Sequence, residues 1–119
     1  MKIIETLEWY LNRIAREPDA FELFNNAGVL LYRLGDYKNS KKYFMRAYEL
    51  NPLDSDILYN YALMSYQEYE WEDASALYQA YLHRNTDDKE AFEALLDCYY
   101  ILGNYESAVK IQKILSKRE

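Results

Sequence analysis

The chain has 119 residues, half of them hydrophobic and 29% charged, which suits one folded domain and excludes a disordered tail. Three glycines and two prolines supply too few turns for a strand-rich sandwich or barrel, and 20 acids against 14 bases (net charge −6) oppose a nucleic-acid phosphate backbone. One cysteine, Cys98, excludes an internal disulfide, and with the one histidine, His83, it makes a poor metal site.

The first periodic run, Ile3, Ile4, Leu7, Tyr10, Leu11 and Ile14, predicts a helix ending near Arg16. Glu5 interrupts it too early for a secretory signal core, and no run reaches the roughly 18–20 apolar residues of a membrane span. The expected setting is therefore cytoplasmic, with no membrane and no nucleic acid among the partners. After Pro18, Phe24, Ala27, Gly28, Leu31 and Leu34 recur at three and four residues, which predicts a second helix. Gly35-Asp36 breaks it, since glycine takes the left-handed conformation that ends a helix. Tyr37, Ser40, Phe44, Ala47, Tyr48 and Leu50 resume the pattern until Asn51-Pro52 stops it. The same double pattern runs from Ser55 to Leu82 and from Lys89 to Leu115. Asp19, Asp54 and Asp88 stand just before the first helix of each unit, where a carboxylate can accept from free amides. The last helix carries Val109, Ile111, Ile114 and Leu115, and some of these are expected to face outward.

These segments are copies of one another. Gly35, Tyr69 and Gly103 stand 34 residues apart, as do Phe24, Leu58 and Phe92, and Ser40, Ala74 and Ala108. A 34-residue helix–turn–helix unit with aromatic, small, aromatic and proline slots resembles the tetratricopeptide repeat (TPR). The first unit matches at Phe24, Ala27, Gly28, Leu31, Gly35, Tyr37, Ser40, Phe44, Ala47 and Pro52. The second departs from the pattern, with Tyr69 for the turn glycine, Tyr81 for a small residue and Thr86 for the proline. The resemblance implies an all-α fold, an α-α superhelix or TPR solenoid of about three repeats plus an extra N-terminal helix, seven helices in all. The expected division is a half-repeat helix over 1–18 and repeats over 21–54, 55–88 and 89–119, forming a single TPR domain over 1–119.

Little points to chemistry. No two glycines lie close enough for a phosphate loop, and His83 sits late in a helix, where a cation is welcome. Cys98 reads as a buried thiol, and Asp87, Asp88 and Glu90 fall at a helix start, where capping explains them better than a metal does. No catalytic residue, metal site or cofactor is expected, and the chain does not read as an enzyme.

Fourteen tyrosines are the compositional oddity. Tyr37, Tyr43, Tyr48, Tyr61, Tyr78, Tyr99 and Tyr105 fall on or near packing slots and are expected in the core. Tyr32, Tyr66 and Tyr100 occupy one slot in all three units, and Tyr59 also lies off the packing pattern. The TPR resemblance places that shared slot in the concave groove, where three phenols in a row would stack on, and hydrogen-bond to, an extended peptide. It likewise implies a peptide-binding groove including Asn25, Asn26, Arg33, Asn60, Glu93 and Asp97 beside Tyr32, Tyr59, Tyr66 and Tyr100. The groove slots hold Glu22, Asp56, Glu90, Glu93 and Asp97 against Arg33 alone, so the expected partner is a protein or peptide segment that is basic or neutral. The clamp by which some TPR proteins grip the acidic tails of chaperones would fall at Asn25, Val29, Asn60, Glu90 and Ala94. Only Asn60 suits it, and Glu90 would repel a carboxylate. The expected function is a non-catalytic interaction module. The alternatives are a structural adaptor or homo-oligomer that assembles through uncapped apolar terminal helices, with Ile111 and Ile114 as candidate self-association residues, and a small secretion-type chaperone. Uncovered ends also fit a chain cut from a longer array.

Overall fold

The computed structural model describes residues 2–118, which form seven α-helices and no strand. They are α1 (Lys2–Arg16), α2 (Phe21–Arg33), α3 (Tyr37–Leu50), α4 (Ser55–Gln67), α5 (Trp71–Leu82), α6 (Lys89–Ile101) and α7 (Tyr105–Lys117). The chain forms two compact units that divide within α4, between Asn60 and Tyr61. In the first unit α1 packs on α2 and α2 on α3; in the second α5 packs on α6 and α6 on α7.

Three turns share one geometry. Gly35, Tyr69 and Gly103 adopt φ values of +82°, +64° and +76°, the left-handed conformation. At the first, the Gly35 amide donates to the Tyr32 carbonyl (3.0 Å) and the Asp36 amide to the Leu31 carbonyl (2.9 Å). The pattern recurs as Tyr69 to Tyr66 with Glu70 to Ser65, and as Gly103 to Tyr100 with Asn104 to Tyr99. This is the Schellman arrangement, which satisfies carbonyls that the ending helix leaves open. The next residue begins the following helix. Asp36 accepts from the Asn39 amide and Asn104 from the Ser107 amide, both at 3.3 Å, whereas Glu70 makes no side-chain cap bond.

The first helices of the units are capped less uniformly than the sequence predicts. Asp54 accepts from the Ile57 amide (3.0 Å) and Asp88 from the Ala91 amide (3.1 Å). Asp19 does not cap α2, because the N-cap residue there is Ala20, which has no side-chain cap bond.

Packing follows the helical stripes. In the first unit Leu7, Ala27 and Leu31 form a buried cluster against Tyr10, Ile14, Leu30 and Tyr43. The α2–α3 approach is close: the Ser40 hydroxyl donates to the Gly28 carbonyl at 2.7 Å, and a Cβ on Gly28 would stand 2.8 Å from the Phe44 ring. In the second unit Tyr78, Leu82, Phe92, Leu95, Cys98 and Tyr99 are buried around Ala74, Ala91 and Ala108. The missing proline of the middle repeat is replaced by a side-chain tie. Tyr81, in the slot expected to be small, donates its hydroxyl to Asp88 Oδ2 (2.6 Å), the carboxylate that caps α6. Two tyrosines expected in the core are exposed: Tyr37 at 44% and Tyr105 at 63%, each the first residue of its helix and so beyond the packed stripe. One buried hydroxyl, that of Ser65, has no hydrogen-bond partner among the described residues.

A left-handed backbone strains any residue with a Cβ, by about 1–2 kcal/mol. Tyr69→Gly is therefore expected to stabilise the fold, by about 1 kcal/mol after the entropy cost of glycine in the unfolded chain. Chemical denaturation of both proteins checks this; a lower midpoint for the variant would contradict it.

Candidate functional site

The shared tyrosine slot is organised by the turn that follows it. Five residues after each of these tyrosines, the next helix opens with another aromatic residue, and the turn folds the two rings together. Tyr32 meets Tyr37 at 4.8 Å between centroids, Tyr66 meets Trp71 at 5.3 Å and Tyr100 meets Tyr105 at 6.1 Å. Tyr66 also lies edge-on to Tyr78, 6.4 Å away.

The hydroxyls are engaged as well. Tyr66 Oη donates to Asp97 Oδ2 at 2.8 Å, and Tyr100 Oη donates to Gln112 Oε1 at 2.9 Å. Two of the three phenols expected along the groove thus also serve contacts within the chain. The phenol tips of Tyr66 and Tyr100 are committed within the chain, and the rings are backed by aromatic neighbours. The second unit leaves ring edge and carboxylate accessible here: Tyr100 is 44% exposed, Glu93 and Asp97 are exposed and Tyr66 is half-buried.

In the first unit Asn25 is only 8% exposed, and its Oδ1 accepts from Asn60 Nδ2 at 3.2 Å. Asn25 therefore positions Asn60 rather than meeting solvent. Asn26 and Arg33 are exposed, and Tyr32 and Tyr59 are half-buried. On α7, Ile111 and Ile114 are half-buried, and Val109 (46%) and Tyr105 are exposed. The 34-residue recurrence of the second ring in each pair was available in the sequence; the partners of the hydroxyls were not.

Electrostatics follow from this geometry. The hydrogen bond to Asp97, then burial and the Asp97 charge, raise the Tyr66 hydroxyl from the usual 10.0 to about 12. Burial first, then the Asp97 charge, push the Cys98 thiol up to about 11. Among the described residues no group of three His, Cys, Asp or Glu side chains could hold a metal ion, and no helix is long and apolar enough to cross a membrane.

Residues 21–52 match one tetratricopeptide-repeat family model, and residues 66–115 match a second. The chain belongs to the tetratricopeptide-repeat family. Solved TPR structures share the fold across nearly all of it. A crystal structure of a MamA protein aligns with a TM-score of 0.84 at 18% identity, covering 98% of this chain and 64% of that one. A MamA RS-1 ArsTM double mutant gives 0.86 at 18% identity, covering 97% and 65%. A tetratricopeptide repeat protein from Parabacteroides merdae ATCC 43184 gives 0.79 at 19% identity, covering 98% and 46%. This chain thus spans less than two thirds of the length of these two MamA chains, and at such identities the likeness is one of fold. No curated protein matches the sequence. TPR repeats characteristically form non-catalytic scaffolds, and this chain is a general TPR-type protein- or peptide-binding module.

Two titration predictions follow. Unfolded Tyr66 loses its proton near pH 10, whereas the folded group holds it to about 12. Its contribution to stability is therefore complete below the lower value and is lost as pH rises through the higher one. Asp97→Asn should lower that phenol's titration midpoint, measured by phenolate absorbance against Tyr66→Phe as the blank. The buried Cys98 thiol, pushed up to about 11, should react with a disulfide reagent at about pH 8 only after denaturant is added. Rapid labelling of the folded protein would contradict this.

Proposed function

We propose that this TPR module holds a basic or neutral segment of a partner protein on the tyrosine-lined, acidic face of its first-of-pair helices. The observation that carries the reading is the Tyr66–Asp97 pair. Asp97 is exposed, one of its oxygens is fixed by the phenol at 2.8 Å, and no bond to the other is found among the described residues. A carboxylate held in this way is a pre-oriented acceptor for a cation or an amide N–H. In the second unit the face consists of Tyr66, Glu93, Asp97 and Tyr100. The first unit contributes its own face of Asn26, Tyr32, Arg33, Tyr59 and Asn60, with Asn25 beneath it.

Exposed ion pairs contribute only about 0.2–1 kcal/mol each. Charge therefore sets encounter rate and selectivity, and ring contacts carry most of the affinity. Tyr66→Ala should weaken binding more than Asp97→Asn does, with the fold of each variant verified by circular dichroism, and added salt should slow association. Titration against basic, neutral and acidic peptide pools tests the reading. Preferential capture of acidic peptides would overturn it.

A second reading, assembly through apolar surface near the last helix, draws on the exposure of Ile101 (53%), Leu102 (39%), Tyr105 and Val109. Light scattering across a concentration series separates it from peptide capture. A monomer at high micromolar concentration would remove it.

A further inference from the structure

The turn between α4 and α5 departs from its two counterparts in composition. Tyr69 replaces Gly35 and Gly103, Glu70 replaces the caps Asp36 and Asn104, Trp71 replaces Tyr37 and Tyr105, and two further acids, Glu72 and Asp73, follow. With Leu102 these five residues line an open cleft of ≈ 360 Å³.

Its aromatic part is the Tyr69–Trp71 pair, with ring centroids 5.7 Å apart and planes inclined by 56°. Tyr69 is 76% exposed, so its ring stands in solvent instead of filling the core. Every charged residue of the lining is an acid. Glu72 and Asp73 are exposed, and neither carboxylate has an ion-pair partner among the described residues. Acids in a first helical turn complement the helix dipole, which accounts for the charge. It does not account for the exposed Tyr69 ring set against a half-buried Trp71 in the wall of the same cleft.

Charge and shape together restrict the ligand. An anion is repelled, and a neutral apolar group leaves the carboxylates without use. An ammonium meets one carboxylate as a point charge. A guanidinium is planar, stacks on an aromatic face and presents a fork of N–H donors that matches carboxylate geometry. We infer that this cleft receives the guanidinium of an arginine side chain from a partner segment, stacked against the Tyr69–Trp71 wall and paired with the carboxylates of Glu72 and Asp73. The site shares no residue with the face proposed above and does not rest on that reading.

The test uses the full chain with Trp9→Phe, which leaves Trp71 as the sole tryptophan. The probes are a short arginine peptide, the same peptide with lysine, and the same peptide with citrulline, the uncharged isostere. The arginine peptide should change Trp71 fluorescence saturably, the lysine peptide should bind more weakly and the citrulline peptide should give no saturable change. Removing two exposed charges in Glu72→Gln/Asp73→Asn should weaken arginine binding by about tenfold. Tyr69→Gly should weaken it by about three- to fivefold through loss of the ring. Because that substitution relieves backbone strain, its effect on binding is distinguishable from unfolding. Equal binding of citrulline, stronger binding of lysine, or unchanged arginine affinity in the cleft variants would overturn the proposal. Loss of arginine binding in Asp97→Asn with the cleft variants unaffected would do the same, placing the peptide on the other face.

Discussion

The left-handed residue at the end of α2, α4 and α6 is the constraint on which the rest depends. By taking positive φ, Gly35, Tyr69 and Gly103 let two amides turn back onto the last carbonyls of the finishing helix. Asp36 and Asn104 can then cap the next helix, so one short motif ends one helix, reverses the chain and starts another. Because the motif occupies a fixed place in the repeat, every later stripe of apolar residues returns to the same phase. Ala27, Ala47, Ala74 and Ala108 reach 0% exposure for this reason, as small residues where backbones approach.

The same turns organise the surface. Folding the chain back over a short loop brings the tyrosine before the turn onto the aromatic residue after it, so the rings support one another. Hydroxyls then settle on whatever acceptor the neighbouring helix provides, Asp97 for Tyr66 and Gln112 for Tyr100. A tyrosine-rich face built in this way is pre-organised; on the proposed reading a partner would meet rings whose rotamer freedom is already spent, which lowers the cost of association.

Much of this was readable in the sequence, and the remainder divides along a physical line. Helix positions follow from periodicity and stop signals, both local, so the α2 break at Gly35 and the α3 stop at Asn51-Pro52 fall where the pattern puts them. Tyr69 in a glycine slot was readable as a departure, and the fold keeps the turn there by accepting a strained backbone. The cap at Asp19 failed because chain entry, set by Ala20, decides which side chain reaches the free amides. Tyr37 and Tyr105 were misplaced because a helix's first residue shares the phase of the stripe without having a neighbouring turn to cover it. Asn25, inside the proposed groove set, lies under Asn60 because a hydrogen bond between residues far apart in sequence leaves no trace in spacing.

Ser65 sits in the slot filled by Leu31 in the repeat before and Tyr99 in the repeat after, and its buried hydroxyl has no acceptor among the described residues. An unmet polar group of that kind costs about 1–3 kcal/mol. In an array held together by nearest neighbours, such a debt is felt locally before it is felt globally. The turn of α4 around Ser65 should therefore exchange its amides with deuterium sooner than the matching turns around Leu31 and Tyr99.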